Sequence, residues 1–249
     1  RNAARKRFNL SVQQKALEQK PFFGVDLWNS YEMSWLNNRG VPQMGILTLS
    51  IPAESPFLLE SKSAKLYLAS FNQSRFSTSS EVLSCIQKDI SSALRMDVEV
   101  SFQSLSVQWP AQIFSGTCID DLDVSIDSYD YQPNLLQILP FDMNKERLYS
   151  HVLRTVCPVT GQPDWASVFI EYSGAEIVKE SLLRYLVSLR CHSIFHEMAI
   201  ERIFVDIMER CSPKFLSIYG AFTRRGGIDI NPFRSTDAVL PPVVRVVRQ

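Results

Sequence analysis

Between residues 27 and 36 apolar side chains recur at alternate positions (Tyr31, Met33, Trp35), the period of a strand with one buried face. Asn37-Asn38-Arg39-Gly40 supplies turn chemistry, and residues 44–51 read as the returning strand. The period then changes. Residues 58–71 read as a helix, and a second helix starts at the capping box Thr78-Ser79-Ser80-Glu81, with Val82, Leu83, Ile86, Ile90 and Leu94 as its apolar stripe. Strands return at 98–107 and again where Leu122, Val124 and Ile126 alternate with Asp121, Asp123, Ser125 and Asp127.

The same order then recurs. Residues 132–146, with Pro133 and Pro140, read as a linker. Residues 147–156 and 166–173 read as strands, 177–189 and 194–210 as amphipathic helices, and 215–222 and 228–230 as strands separated by Arg224-Arg225-Gly226-Gly227. Each half is β-β-α-α-β-β, which predicts an α+β fold: an antiparallel sheet with two helices on one face, twice over. The expected organisation is an N-terminal arm at 1–21, a first module at 22–131, a linker at 132–146 and a second module at 147–249.

Composition narrows the function. With 45% hydrophobic and 21% charged residues over 249 positions, the chain can bury a sizeable core, so extended disorder is not expected. Lysine plus arginine (26) equals aspartate plus glutamate (26), which argues against holding nucleic acid or anionic membrane by bulk charge. The balance is uneven, however. Residues 117–131 carry five aspartates and no basic residue, whereas 221–249 carry five arginines against two aspartates. The longest uncharged run, 100–119, is broken by Ser101, Gln103, Ser104, Gln108, Pro110 and Gly116 and does not read as a membrane span. No apolar signal segment follows the opening basic residues, and because Arg1 is not Met the sequence is expected to start inside a longer gene product. Five scattered cysteines without a C-x-x-C pair suit free thiols in a reducing cytoplasm.

Neither G-x-G-x-x-G nor a P-loop occurs. His196-Glu197-Met198-Ala199-Ile200 lacks the second histidine of H-E-x-x-H, so a zincin is rejected, and a zinc site borrowing Cys157, His196 and Cys191 or Cys211 would match no standard module. No metal is expected. What remains is polar residues in unusual settings. Cys157-Pro158-Val159-Thr160-Gly161-Gln162-Pro163-Asp164 is a turn-rich loop whose thiol and carboxylic acid are the minimum set for covalent chemistry at an electrophilic carbon, or else a half-buried structural cysteine and a turn cap. His196 and Glu197 open a helix, where an acidic residue also suits the dipole. Glu60-Ser61-Lys62-Ser63-Ala64-Lys65-Leu66-Tyr67 reads as a helix start with two exposed lysines, and Arg224-Arg225-Gly226-Gly227 as an anion clamp or a solvated β-turn.

Taken together these segments are specific. Residues 60–67 resemble the signature E-[SL]-K-[SA]-x-K-[LY]-[YFW] of the NADPH-dependent nitrile reductase family QueF, and the 157–164 loop, Phe195-His196-Glu197 and Arg224-Arg225-Gly226-Gly227 match the same family. The resemblance runs from about Phe23 to Gln249 and is closest to the long subfamily, which carries two tandem tunnelling folds (T-folds). Ala64 is small where the family is usually bulkier, and the N-terminal arm is short. The resemblance implies reduction of the nitrile of 7-cyano-7-deazaguanine to 7-aminomethyl-7-deazaguanine, on the route to the tRNA nucleoside queuosine, with NADPH as cofactor. Cys157 would form a thioimide, Asp164 would supply a proton and His196 would assist. Leu59, Glu60, Ser61, His196 and Glu197 would bind the deazaguanine, and Ser61, Lys62, Arg225 and Gly226 the NADPH phosphates. It further implies a cytoplasmic homodimer with no direct nucleic-acid or membrane partner. The competing expectations are a zinc-dependent cyclohydrolase-like T-fold enzyme and a non-catalytic purine-binding module.

Overall fold

A computed structural model describes residues 22–106, 114–242 and 245–249. The expected N-terminal arm and the end of the strand read at 98–107 lie outside these residues. The elements are β1 (Phe23–Leu36), β2 (Pro42–Pro52), α1 (Ser61–Ala69), α2 (Ser79–Leu94), β3 (Glu99–Ser104), β4 (Thr117–Cys118), β5 (Ile138–Ser150), β6 (Arg154–Val156), β7 (Pro163–Ile177), α3 (Lys179–Ser188), α4 (His196–Cys211), β8 (Phe215–Phe222) and β9 (Ile228–Ser235). The fold is α+β, and the strand-strand-helix-helix-strand order of the first half recurs in the second with β6 as an addition, but the last strand of the first half, β4, is only two residues long and pairs with β5 of the second half.

The halves share one sheet in the order β3-β2-β1-β9-β8-β7-β5-β4, with β6 beside β7. All pairings are antiparallel except that of β4 with β5. The seam is β1 against β9, in register from Phe23↔Ser235 to Ser30↔Ile228. On the helix-bearing face of the first half, Trp28, Met33, Leu47 and Leu49 pack under Ala64, Leu68, Val82 and Ile86. In the second half, Val168, Ile170 and Ile218 pack under Leu182, Met198 and Ile203. A smaller cluster of Phe169, Tyr219, Ala221 and Phe233 lies on the opposite face.

α4 is buried almost all round, charged residues included. Arg234 of β9, fully buried, places Nη2 2.8 Å from Glu201 Oε1 of α4 and 2.7 Å from Asp26 Oδ1 of β1, an ion triad across the seam. On another side of α4, Asp206 accepts hydroxyl bonds from Tyr131 (2.9 and 2.8 Å) and Tyr185 (2.6 Å).

Three expectations are corrected. The alternation at 122–126 forms no strand: Leu122 and Val124 pack against the core individually, Arg184 binds the Ser125 carbonyl, and the ladder is only Thr117–Cys118. Residues 138–146, read as linker, are the first part of β5. They are an exposed run with two irregularities against β7, so no apolar alternation marks them and Pro140 is tolerated. The strand read at 147–156 is interrupted at 151–153, where the His151 N–H and the Ser150 hydroxyl both turn to Asp120.

Candidate active site

Each segment singled out in the sequence has a local reason for its shape. Glu60 caps α1, its carboxylate accepting from the N–H groups of Lys62 (2.9 Å) and Ser63 (2.7 Å) and from the Ser63 hydroxyl (2.7 Å). These bonds, the hydroxyl's first, hold the Glu60 carboxyl below its ordinary range. The 157–162 loop closes on itself: the Cys157 N–H donates to Gln162 O (2.8 Å) and the Gly161 N–H to Cys157 O (2.9 Å), with Gly161 at φ +69°. Val156, just before the thiol, bonds through N–H to His192 O (2.9 Å) and through its carbonyl to Ile194 N–H (3.0 Å). That short ladder seats the cysteine beside the start of α4, where His196 and Glu197 are the first two residues.

All ten residues expected from the sequence line one cavity of about 470 Å³: Leu59, Glu60, Ser61 and Lys62 from the first half, and Cys157, Asp164, His196, Glu197, Arg225 and Gly226 from the second. Its apolar wall includes Leu58, Phe195, Ile228 and Ile230. The two halves meet at its rim, where the side chain of Lys65 of α1 lies against the Gly226 backbone.

The buried carboxylate of Asp164 anchors the polar side. His196 Nε2 lies 3.1 Å from Asp164 Oδ1, and Arg225 Nη2 binds the same oxygen. The Arg225 guanidinium also donates to the carbonyls of Gln162 (3.2 Å) and Pro163 (3.4 Å). Burial opposes ionisation of the Cys157 thiol. Hydrogen bonds from the hydroxyl and N–H of Thr160, the N–H of Val159 and the Arg225 guanidinium outweigh it, and the thiol is held below its ordinary value. Glu197 is only 4% exposed, and among the described residues no side chain or N–H pairs with its carboxylate. A buried carboxylate without a protein partner, facing a cavity, suits a ligand that brings its own donors.

Sequence reasoning missed three participants. Thr160 lies three residues after the cysteine in a tight turn, a spacing that aims its hydroxyl and N–H back at the sulfur. Lys65 follows Lys62 at helical spacing and shares its face. Phe222, stacked on His196, carried no local signal. Among the described residues no three His, Cys, Asp or Glu side chains are placed to hold a metal ion.

Comparison with known proteins gives the same answer from a different direction. A family model described as "Nitrile reductase, 7-cyano-7-deazaguanine-reductase N-term" matches residues 1–102, and one described as "QueF-like protein" matches residues 163–239. The NADPH-dependent 7-cyano-7-deazaguanine reductase of Dechloromonas aromatica is 49% identical over 92% of this chain and 82% of its own length. The protein of the same name from Chromobacterium violaceum is 46% identical over 98% of this chain and 88% of its own. With identities this high over most of both chains, this protein belongs to the 7-cyano-7-deazaguanine reductase family.

Proposed function

We propose that this protein reduces the nitrile of 7-cyano-7-deazaguanine to 7-aminomethyl-7-deazaguanine, using NADPH, through a thioimide on Cys157, as a step toward queuosine. The observation that carries the reading is a thiol of lowered pKa sharing one cavity with the Asp164–His196 pair and the unpartnered carboxylate of Glu197.

A nitrile carbon accepts hydride poorly until a nucleophile has added to it. The Cys157 thiolate attacks that carbon, a C–S bond forms, and one π pair of the C≡N bond moves onto nitrogen. The nitrogen takes its proton from the Asp164–His196 pair, leaving a neutral thioimide. When bound, NADPH would supply one hydride per molecule, and two molecules are used per turnover. After the first reduction of the thioimide carbon the Cys157 thiolate leaves, breaking the C–S bond and giving an imine, and the second reduction converts that imine to the amine. The covalent bond to Cys157 retains the substrate through the first reduction, and the apolar wall of Leu58, Ile228 and Ile230 keeps water from competing. Glu197 accepts from the adjacent N–H and amino groups of the deazaguanine edge. Glu60 is the second anchor, with its carboxylate shared between ligand and helix cap, and Leu59 and Ser61 flank it. At the rim, Ser61, Lys62, Arg225 and Gly226 would hold NADPH phosphates. These residues fit that group: the Lys62 ammonium has no ion pair among the described residues, and Gly226, at φ +55°, carries the Lys65 ammonium against its backbone, a second cation at the same rim.

We place the division into two modules at the chain between β4 and β5, so that one module brings the α1 motif and the other the thiol. The even charge supports action on a free base without RNA contact. Five free cysteines support a cytoplasmic setting, and no helix among the described residues is long and apolar enough to cross a membrane. The exposed apolar residues Ile138, Leu139 and Phe141 along β5 support pairing of two copies as a homodimer, which sedimentation would test.

Adding the nitrile to protein and NADPH should bleach the reduced-nicotinamide absorbance. Protein mixed with the nitrile alone should gain the mass of one substrate at Cys157. An adduct that survives Cys157→Ala would sink the mechanism, and a protein that never oxidises NADPH would sink the function.

A further inference from the structure

β8 and β9 pair only from Ser217↔Ser235 to Tyr219↔Phe233, and beyond Tyr219 they splay apart toward the turn that carries Arg225. Two side chains fill the opening. Asn231 Oδ1 accepts from the Phe222 N–H (3.2 Å), and the Gln249 amide donates to the Phe222 carbonyl (3.2 Å) and to Asn231 Oδ1 (2.7 Å). Gln249, the last residue of the sequence, is 6% exposed, and its Oε1 accepts from the Val246 N–H (3.1 Å). The contacts continue into a closed ring. Asn231 Nδ2 donates to Asp229 Oδ1 (2.5 Å), Tyr31 Oη donates to Asp229 Oδ2 (2.5 Å), the Arg224 guanidinium sits 4.7 Å over the Tyr31 ring, and Arg224 Nη2 donates back to the Gln249 carbonyl (3.2 Å).

The ring lies on the sheet face away from the cavity, because Asp229 and Asn231 alternate with Ile228 and Ile230, which line it. Its attachment points are nevertheless the neighbours of the reacting groups. Phe222 carries the ring on which His196 stacks, and Arg224 precedes the arginine that binds Asp164. We propose that Gln249 is a positioning residue for the reaction: by replacing the missing β8–β9 ladder it fixes the plane of His196 through Phe222 and the guanidinium of Arg225 through Arg224. Gln249 holds the Phe222 carbonyl directly and the Phe222 N–H through Asn231 Oδ1, so both chain atoms of the residue that supports the imidazole depend on it.

The turnover arm of the test rests on the nitrile-reductase reading, and the thiol arm does not. Gln249→Ala and Arg224→Met are each compared with the unaltered protein for kcat and KM, and for the pH profile of Cys157 alkylation by iodoacetamide, read by peptide mass. Arg224 is exposed, so its variant folds even if Gln249→Ala does not. The expected result is a fall in kcat of roughly tenfold to a hundredfold with KM for the nitrile within about twofold, as misplacement of reacting groups gives. The alkylation profile should move to higher pH, because a loosened Arg225 no longer supports the thiolate; the other charged or titratable groups on the cavity, Glu60, Lys62, Lys65, Asp164, His196 and Glu197, are not substituted. An unchanged alkylation profile in both variants overturns the proposal, whatever happens to thermal stability. If the unaltered protein reduces no nitrile, the function fails, and the alkylation profile alone still decides the positioning role.

Discussion

The imidazole of His196 lies flat on the ring of Phe222, with centroids 4.0 Å apart and planes 8° from parallel. With Nε2 held by Asp164, this stack fixes the ring in both tilt and rotation, and Nδ1 is buried without a hydrogen-bond partner among the described residues. Phe222→Leu keeps most of the buried volume and removes the flat support. Its stability cost should stay under about 1.5 kcal/mol, whereas kcat should drop by roughly tenfold as the imidazole rocks. Denaturant unfolding and steady-state kinetics on one preparation separate the two effects.

The hydrogen bonds at Cys157 lower its pKa against the opposing effect of burial, so the reactive thiolate is present above a pH lower than that of an ordinary cysteine and is lost as pH falls through it. Adduct formation with the nitrile should therefore rise with pH and level off early. Thr160→Val removes the hydroxyl and leaves the backbone in place, so the rise should shift to higher pH. At pH 7 the rate should fall by roughly threefold to tenfold, the effect of losing one hydrogen bond worth about 1 kcal/mol. Stopped-flow adduct formation across pH reads this directly.

Glu197→Gln is nearly isosteric and leaves α4 intact, but it turns a double acceptor into a group with one acceptor and one donor. Loss of one or two charge-assisted bonds should weaken deazaguanine binding by roughly tenfold to a thousandfold. Calorimetric titration with the amine product would show it without turnover. Unaltered affinity would move the base-recognition role elsewhere in the cavity.

Arg234 joins Asp26 and Glu201 across the β1–β9 seam, with all three side chains at most 1% exposed. Arg234→Met removes the cation that bridges two buried carboxylates and should cost about 3–5 kcal/mol of stability, measured by chemical unfolding. Because the seam also aligns the two walls of the cavity, NADPH oxidation should fail at the same denaturant concentration as the fold.

Legibility in the sequence was uneven, and particular residues show why. The apolar stripe Val82–Ile86–Ile90 marked α2 because helical period is a local property, and Thr78 marked its start because a cap acts within one turn. Leu122 and Val124 alternate like a strand yet join no ladder among the described residues, since alternation records which side chains are buried and not whether a partner strand is present. β5 was the opposite case: residues 138–146 are exposed, so no burial pattern announced a pairing made entirely through the backbone of β7.

The sequence by itself determined the order of elements in both halves up to the last strand of the first, the neutral total with its basic final segment, and the identity of ten residues that line the cavity. Those follow from local period and from side-chain chemistry, which need no coordinates. Only the tertiary structure decided that α1 of one half and the 157–164 loop of the other face a single cavity, that Phe222 supports His196, and that Gln249 closes a ring behind Arg225. Such contacts depend on strand register between positions as distant as Asn29 and Asp229, and on where β8 and β9 part. No local pattern encodes them, because each side chain's partner is chosen by how the whole sheet pairs.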